Sequence, residues 1–212
     1  PNYLHIDSHK LHYIDEGKFQ LALQAINAAI KKGGNKRQAT FLKGQTYLGL
    51  KKYKKALEFF LKAKKMGQSE DEVYLYIGKL YSAQNKYDKA IENFKKVEKI
   101  IQRNPVRLRA IGEVLYQNIG TIYNKKNNHK EAIKYFNKAI QVNPSDYKSF
   151  FFAGLSYYKI NDYNSAVKYL EKAIKLKPRK LISYKYLATV YYTMGKKDKS
   201  FYIMAKGFTI KQ

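Results

Sequence analysis

The sequence predicts an all-α solenoid built from six helical hairpins. Similar 20-residue segments recur along the chain and begin at Gly44, Gly78, Gly120, Gly154 and Ala188. Columns of small and bulky residues stay in step through these copies. Because self-similarity at a fixed period of about 34 residues is typical of helical repeat proteins, the period decides the fold class.

The columns themselves indicate where the core lies. A small residue of the second helix recurs at intervals of 34, 34, 42, 34 and 34 residues, as Ala22, Ala56, Ala90, Ala132, Ala166 and Ser200. Four positions later stands a bulky residue, namely Ile26, Phe60, Phe94, Phe136, Leu170 and Met204. The next small position holds Ala29, Ala63, Val97, Ala139, Ala173 and Gly207. Small residues let two helices approach closely and the bulky residue fills the space between hairpins, so we expect all three columns to be buried.

This pattern resembles the tetratricopeptide repeat family, whose 34-residue motif is a helix–turn–helix. The family's first-helix tyrosine matches Tyr47, Tyr81, Tyr123, Tyr157 and Tyr191, and its closing proline matches Pro144 and Pro178. The family's tryptophan position departs from the motif and holds Thr40, Tyr74, Tyr116, Phe150 and Tyr184. The resemblance implies a right-handed superhelix that binds other proteins without a cofactor.

The repeat boundaries follow from caps and turn residues. Ser69 with Glu72, and Asn128 with Glu131, have the spacing of capping boxes. Proline disfavours helix at the residue before it, so Pro144 closes one repeat. We expect a single domain over 1–212, with repeats at about 3–34, 35–68, 69–104, 105–144, 145–178 and 179–212.

One interval is longer than the others. Eight extra residues fall between Val97 and Gly120, and eight residues make about two helical turns, which lengthen a helix without rotating its buried face. We therefore expect the first helix of the fourth repeat to begin at Pro105 after an Asn104 cap. Cations at a helix start oppose its dipole. The nearby arginines are therefore either candidate contacts for a carboxylate or phosphate or part of a solvated helix tip: Arg103, Arg107 and Arg109.

The candidate partner-binding groove comes from the resemblance. In the family the first helices line the concave face, and the corresponding positions here include Phe41, Leu42, Gln45, Leu75, Tyr76, Lys79, Asn118, Lys125, Phe151, Phe152, Leu155, Tyr158, Tyr186 and Tyr192. Aromatic side chains supply large contact area at low entropic cost. We expect about half of the apolar members to pack between neighbouring first helices and the rest to contact a partner.

Some family members grip a C-terminal carboxylate with lysines and asparagines at fixed groove positions. Only Asn118 and Lys148 match that set here. The sequence therefore favours an extended or helical peptide that carries apolar anchors and some acidic residues.

The charge leaves an alternative open. The net charge is +26, with 37 lysines and five arginines. Such a field attracts acidic proteins, anionic lipid or nucleic acid. Electrostatic binding of nucleic acid or of an anionic membrane surface through the lysine-rich faces is therefore the alternative to protein binding.

No catalytic or metal-binding pattern is found. The chain has no cysteine, no glycine-rich phosphate loop and no serine–histidine arrangement. His5, His9 and His12 share a spacing that could bring them to one helical face, but no acidic or cysteine partner completes a metal site, so we interpret them as polar side chains. We expect a protein that is not an enzyme and holds no metal.

The sequence leaves the compartment undecided. It contains no apolar stretch of about 18 residues, so no membrane span is predicted. It begins with Pro1 rather than methionine, which indicates a trimmed chain. A bacterial cell envelope location, periplasmic or lipid-anchored, and a cytoplasmic location both remain open.

The last predicted helix, 197–210, has apolar residues on one side. Phe201, Met204 and Phe208 share that side. No polar capping helix follows them, so we expect this face to be exposed or to be covered by another element.

Overall fold

Eleven α-helices and no strand make up the part of the chain that this computed structural model describes, residues 13–14 and 16–209. The helices are α1 (Phe19–Lys31), α2 (Lys36–Gly49), α3 (Tyr53–Lys65), α4 (Glu70–Ala83), α5 (Tyr87–Ile101), α6 (Pro105–Lys125), α7 (His129–Val142), α8 (Tyr147–Lys159), α9 (Tyr163–Leu176), α10 (Leu181–Thr193) and α11 (Lys197–Thr209). The all-α prediction is confirmed. His5, His9 and His12 lie outside the described residues.

The helices alternate between two roles. The even-numbered helices α2 to α10 are the first helices of their hairpins, and the odd-numbered helices α3 to α11 are the second helices. Helix α1 has the position of a second helix and follows the turn at Gly17. The chain divides into two compact units, residues 1–100 and 101–212. Within the second unit, α6 packs on α7, α8 on α9 and α10 on α11, and each hairpin packs on the next. A single domain over 1–212 stays a prediction.

The turn inside each hairpin has one residue with left-handed backbone geometry. These residues are spaced as the repeats are, at Gly17, Lys51, Asn85, Asn127, Asn161 and Gly195, with φ between 56° and 75°. Glycine and asparagine adopt this geometry most readily, which explains five of the six. The first two repeats also close on a left-handed glycine, Gly33 and Gly67, whereas the fourth and fifth close on Pro144 and Pro178.

Most residues of the predicted core columns are buried, whereas Met204 of the last repeat is only half-buried. The small residues Ala56, Ala90, Ala132 and Ala166 have no exposed surface, and the bulky residues Phe60, Phe94, Phe136 and Leu170 have none either. Ser200 departs from the column and is half-buried. Its hydroxyl donates to the backbone carbonyl of Ala188 at 2.8 Å, so the polar atom is satisfied where the other repeats have a methyl group.

The cap predictions had mixed outcomes. Asn104 accepts from the Arg107 backbone N–H at 3.1 Å and Pro105 opens α6, as predicted. Asn128 accepts from the Glu131 N–H at 3.2 Å. The predicted Ser69–Glu72 capping box was wrong, because the Ser69 hydroxyl donates to the Asp71 carboxylate, which itself accepts the Glu72 N–H at 3.0 Å.

The predicted helix extension is confirmed. Helix α6 has 21 residues, whereas its partner α7 has 14. The end of this hairpin is fixed by polar contacts, since Glu113 accepts from the Asn143 amide at 2.7 Å. The added turns keep the apolar stripe in register, and Leu115, Ile119 and Ile122 are all buried.

Close helix approach depends on glycine in four hairpins. A Cβ placed on Gly44, Gly78 or Gly120 would lie 2.6, 2.5 or 2.9 Å from the ring of the bulky column residue, and one on Gly154 would lie 2.8 Å from Leu170. Real Cβ atoms do not approach other atoms this closely, so any larger residue must push the two helices apart.

Gly120→Ala is expected to lower the free energy of unfolding by about 1–3 kcal/mol, because the new methyl group overlaps the fully buried Phe136 ring. Gly112→Ala on the same helix is the matched control. Its methyl group meets the mobile end of Leu108 at 2.8 Å, and alanine gains about 1 kcal/mol of helix propensity over glycine. Urea unfolding followed by circular dichroism measures the free energy of unfolding of both variants. Equal unfolding midpoints for the two variants would contradict the predicted overlap with Phe136.

Candidate binding site on the first helices

Four of the predicted groove residues belong to the core. Phe41, Leu42, Leu75 and Phe151 are only 3–7% exposed. Phe41 packs edge-on against Tyr76 at 5.2 Å between ring centroids, and Phe151 packs in the same manner against Tyr186 at 5.7 Å. Leu42 packs instead with Ile26 and Ala29 of α1. Because all four side chains are already buried, they are core residues rather than partner contacts.

Two further groove residues are engaged within their own unit. The Asn118 amide donates to the backbone carbonyl of Val114 at 2.7 Å. The Tyr158 hydroxyl lies 3.5 Å from Thr193 Oγ1, and its ring lies 5.9 Å from that of Tyr163. Both side chains are half-buried, so they offer a partner less surface than their positions predicted.

In the first unit, three predicted residues line up on α2 and α4. Gln45, Tyr76 and Lys79 are half-buried. The Lys79 ammonium lies 4.5 Å from the centre of the Tyr76 ring, a cation–π contact. Burial lowers the pKa of Lys79 from its ordinary value, since desolvation disfavours the charged form.

In the second unit, α6 and α8 form a depression of about 390 Å³, here called the first-helix depression. It is lined by Thr121, Asn124, Lys125, Asn127, His129, Phe152, Leu155, Ser156 and Lys159. Three predicted groove residues thus come together here: Lys125, Phe152 and Leu155. None of the other predicted residues lines it.

The apolar floor is held in place by the core. The Phe152 ring stacks on Phe136 at 5.8 Å and meets Phe151 edge-on at 5.3 Å. Phe136 is fully buried, so one side of Phe152 is fixed while the ring still lines the depression. Such a ring loses little conformational freedom when a ligand covers it.

The polar wall is organised by Asn124. Its Oδ1 accepts from the Ser156 hydroxyl at 2.9 Å and lies 2.9 Å from His129 Nδ1. Because an amide oxygen can only accept, this pairing puts the imidazole proton on Nδ1. His129 was not among the predicted groove residues, and the turn before α7 brings its side chain to the wall between α6 and α8.

The depression is electropositive. Lys125, Lys159 and His129 line it, and none of its nine lining residues is acidic. The pKa of His129 is lowered, first by desolvation and then by the nearby Lys159 charge. At neutral pH the imidazole is therefore uncharged, and the two lysines supply the positive charge.

The first-helix surface continues on α10. Tyr186 is 36% exposed and Tyr192 is 61% exposed. Helices α8 and α10 contact each other directly, so these rings extend the apolar surface beyond the depression. This agrees with their predicted place on the first helices.

The three candidate anion-binding arginines do not line the first-helix depression. Arg103 is exposed in the turn before α6, and Arg107 is half-buried. Arg109 lines a separate depression of about 370 Å³ together with Tyr116 and Lys138. The arginines thus do not form one cluster with the predicted groove.

Within residues 13–14 and 16–209, no group of three or more histidine, cysteine, aspartate or glutamate side chains could hold a metal ion. Over the same residues, no helix has the length and apolar character that crossing a bilayer requires.

Helical hairpins that repeat at a fixed period and stack on one another define a helical repeat protein. Sequence models of the tetratricopeptide repeat match residues 11–71, residues 71–104 and 147–180, and residues 114–146. The chain belongs to the tetratricopeptide repeat family, whose members bind other proteins. No curated protein matches the sequence.

Several solved structures share the fold. A crystal structure of MamA is 22% identical in sequence and has a TM-score of 0.68. The match covers 79% of this chain and 94% of the MamA chain. MamA from Desulfovibrio magneticus RS-1 is 16% identical in sequence and has a TM-score of 0.70. That match covers 84% of this chain and 96% of the MamA chain. The C-terminal part of a TPR repeat-containing protein from Cytophaga hutchinsonii is 21% identical in sequence and has a TM-score of 0.73. This match covers 95% of this chain and 78% of the other. These likenesses concern the fold.

His129 is expected to titrate below the ordinary histidine pKa of 6.5, because desolvation and Lys159 both disfavour its charged form. Lys159→Met removes the charge of Lys159, so the midpoint of the His129 titration should rise towards 6.5. NMR titration of the imidazole carbon-bound protons measures it. Lys172→Met, which removes a lysine lying over Phe150, is the control and should leave the midpoint unchanged. An unchanged midpoint in Lys159→Met would refute the electrostatic contact.

Proposed function

We propose that the protein is a non-catalytic scaffold or assembly adaptor that holds a segment of a partner protein on its first helices. The observation that carries the proposal is the first-helix depression, where a fixed apolar floor adjoins two lysines and no lining residue is acidic. Family membership supports protein binding in general. The location of the site on α6, α8 and α10 is our proposal.

The chemistry of the depression specifies the partner segment. Phe152 and Leu155 offer an apolar surface for one or two side chains of leucine, isoleucine or phenylalanine size. Lys125 and Lys159 are both exposed and flank that surface, so a carboxylate beside the apolar residue gains an ionic contact. The proposed ligand is a short segment in which acidic and large apolar residues alternate closely.

The neighbouring helix sets the length of that segment. Tyr186 and Tyr192 expose ring surface on α10, and Phe152 and Leu155 stand on the adjacent α8. A segment that contacts both helices therefore crosses at least two first helices. Aromatic residues that become buried when a partner binds supply much of the binding energy in protein interfaces.

A random peptide display library tests the proposal. The wild-type chain should enrich peptides that carry aspartate or glutamate next to leucine, isoleucine or phenylalanine. Lys125→Glu with Lys159→Glu should lose the preference for acidic residues, and Phe152→Ala with Leu155→Ala should lose the preference for apolar ones. Both lysines are exposed, so their reversal should leave the fold intact.

The matched control reverses two lysines of the second helix α9, in Lys168→Glu with Lys172→Glu. These residues lie outside the first-helix depression. The control protein should select the same peptides as wild type. The proposed site would be refuted if the lysine-reversal variant and the Phe152→Ala, Leu155→Ala variant both selected the same peptides as wild type.

A second candidate function is electrostatic binding of nucleic acid or anionic membrane, and one feature of α9 favours it. Lys168, Lys172 and Lys175 line a depression of about 480 Å³ together with Phe150, Tyr169 and one acidic residue, Glu171. Burial, followed by a hydrogen bond with Tyr157, raises the pKa of Tyr169 to about 12, so its hydroxyl stays neutral. Aromatic rings among lysines suit stacked bases along a phosphate backbone.

Titration with random-sequence RNA, DNA and anionic vesicles distinguishes the second candidate. If it holds, affinity falls steeply with salt. Replacing the three α9 lysines by alanine should reduce the logarithmic salt slope for single strands by about two, since each phosphate contact contributes about 0.7. The Lys125→Ala, Lys159→Ala variant shows in the same titration whether the first-helix depression contributes to this binding. Absence of binding at low salt would eliminate this candidate.

A further inference from the structure

The extended helix α6 and its partner α7 enclose a depression of about 370 Å³, here called the α6–α7 depression. It is lined by Gln102, Leu108, Arg109, Tyr116, Lys138, Gln141 and Val142. All seven residues belong to the second unit, and none of them lines the first-helix depression. A cavity of this volume is large enough to hold a small organic molecule.

The internal repeat shows what the helix extension contributes to this depression. Its aromatic ring and its lysine recur 34 residues later as Phe150 and Lys172, which line a depression of the next hairpin. Arg109 does not recur, because the residue 34 positions later is Asn143, which follows the last residue of α7. Helix α8 begins only at Tyr147. The arginine is therefore present in the depression because α6 is two turns longer.

The charge of the α6–α7 depression is positive. Among the described residues, none that lines it is acidic, whereas Glu171 lines the corresponding depressions of the next two hairpins. Helices α6 and α7 contain one acidic residue each. Both oxygens of Glu113 accept hydrogen bonds from side chains outside the depression, and Glu131 lies 3.6 Å from the Lys134 ammonium. The depression is thus complementary to an anion.

The two cations of the depression differ in how they are held. The Lys138 ammonium lies 5.3 Å from the centre of the Tyr116 ring and 4.9 Å from that of Tyr135, so two cation–π contacts position it. Arg109 is exposed, and its planar guanidinium can donate two parallel hydrogen bonds to a phosphate or a carboxylate. The two glutamines of the lining add neutral amide donors.

This set of donors favours a phosphate over a carboxylate. A phosphate monoester carries a charge of about −1.5 to −2 at pH 7 and has three terminal oxygens that accept hydrogen bonds. A carboxylate carries one charge on two oxygens. Two cations and two amide groups therefore match the charge and the acceptors of a phosphate, and they exceed those of a carboxylate.

One wall of the depression is apolar. Leu108 and Val142 both reach the α6 backbone at Gly112, where a Cβ would lie 2.8 Å from Leu108 and 3.4 Å from Val142. Both side chains are half-buried and line the depression. Covering this wall would remove apolar surface from water, which favours an anion that carries an organic group.

We propose that the α6–α7 depression binds a small organic phosphate monoester. The phosphate contacts Arg109 and Lys138, and the organic group lies against Leu108 and Val142. The site shares no lining residue with the first-helix depression or with the lysine-lined depression of α9. It therefore adds a small-molecule site to the two candidate functions and depends on neither of them.

Isothermal titration calorimetry of the full chain with phenyl phosphate tests the proposal. We expect saturable binding with one site per chain. Phenylacetate presents a carboxylate beside the same ring and should bind at least about tenfold more weakly, because it has less charge and fewer acceptors. Inorganic phosphate lacks the ring and should also bind at least about tenfold more weakly, because it leaves the apolar wall uncovered.

Variants locate the site. Arg109→Gln should weaken phenyl phosphate binding at least about tenfold, and Arg109→Lys should restore only part of the affinity, because lysine lacks the planar fork. Arg103→Gln is the matched control. It removes the same charge from an exposed side chain outside the depression and should leave the affinity nearly unchanged. Lys125→Ala with Lys159→Ala should also leave it nearly unchanged, which separates this site from the first-helix depression. Circular dichroism verifies the fold of each variant.

Four outcomes would overturn the proposal. The first is no saturable binding of phenyl phosphate. The second is equal weakening by Arg109→Gln and Arg103→Gln, which would attribute the binding to the overall charge of the protein. The third is equal affinity for phenylacetate and phenyl phosphate, which would show that the site does not distinguish a phosphate. The fourth is binding of phosphatidic acid vesicles without binding of phenyl phosphate, which would assign the depression to a lipid surface.

Discussion

The contact between a glycine of the first helix and a bulky side chain of the second is the constraint on which each hairpin depends. At Gly44, Gly78, Gly120 and Gly154 the second-helix side chain occupies the space where a Cβ would stand. The two backbones are therefore as close as the bulky side chain allows, and that side chain is fully buried. Because these four hairpins use the same contact, they have similar shapes and can stack in the same way.

The stacking also determines the shape of the proposed binding surface. Core rings such as Phe136 and Phe151 pack against Phe152, so the floor of the first-helix depression continues the core. Its polar wall is equally tied to the fold, since Asn124 joins α6 to Ser156 of α8 and to His129 at the start of α7. A ligand that binds here meets a surface already ordered by folding, which lowers the entropic cost of association.

The lysine excess has little to do with holding the fold together. Ion pairs such as Lys96–Glu92 are largely exposed, and pairs of this kind contribute little to stability. Several lysines instead lie over aromatic rings of their own hairpin, as Lys138 does over Tyr116 and Tyr135. With 42 basic and 16 acidic residues, the protein carries an excess of positive charge that attracts acidic partners.

The sequence by itself determined the helix pairs, the core columns and the extended α6, because each follows from local spacing that repeats along the chain. It also placed Lys125, Phe152 and Leu155 on one surface. Only the tertiary structure decided that Phe41, Leu42, Leu75 and Phe151 are core, and that His129 joins the depression. The physical reason is that burial depends on the side chains of neighbouring hairpins, which are distant in sequence, whereas helix periodicity depends on residues three and four positions apart.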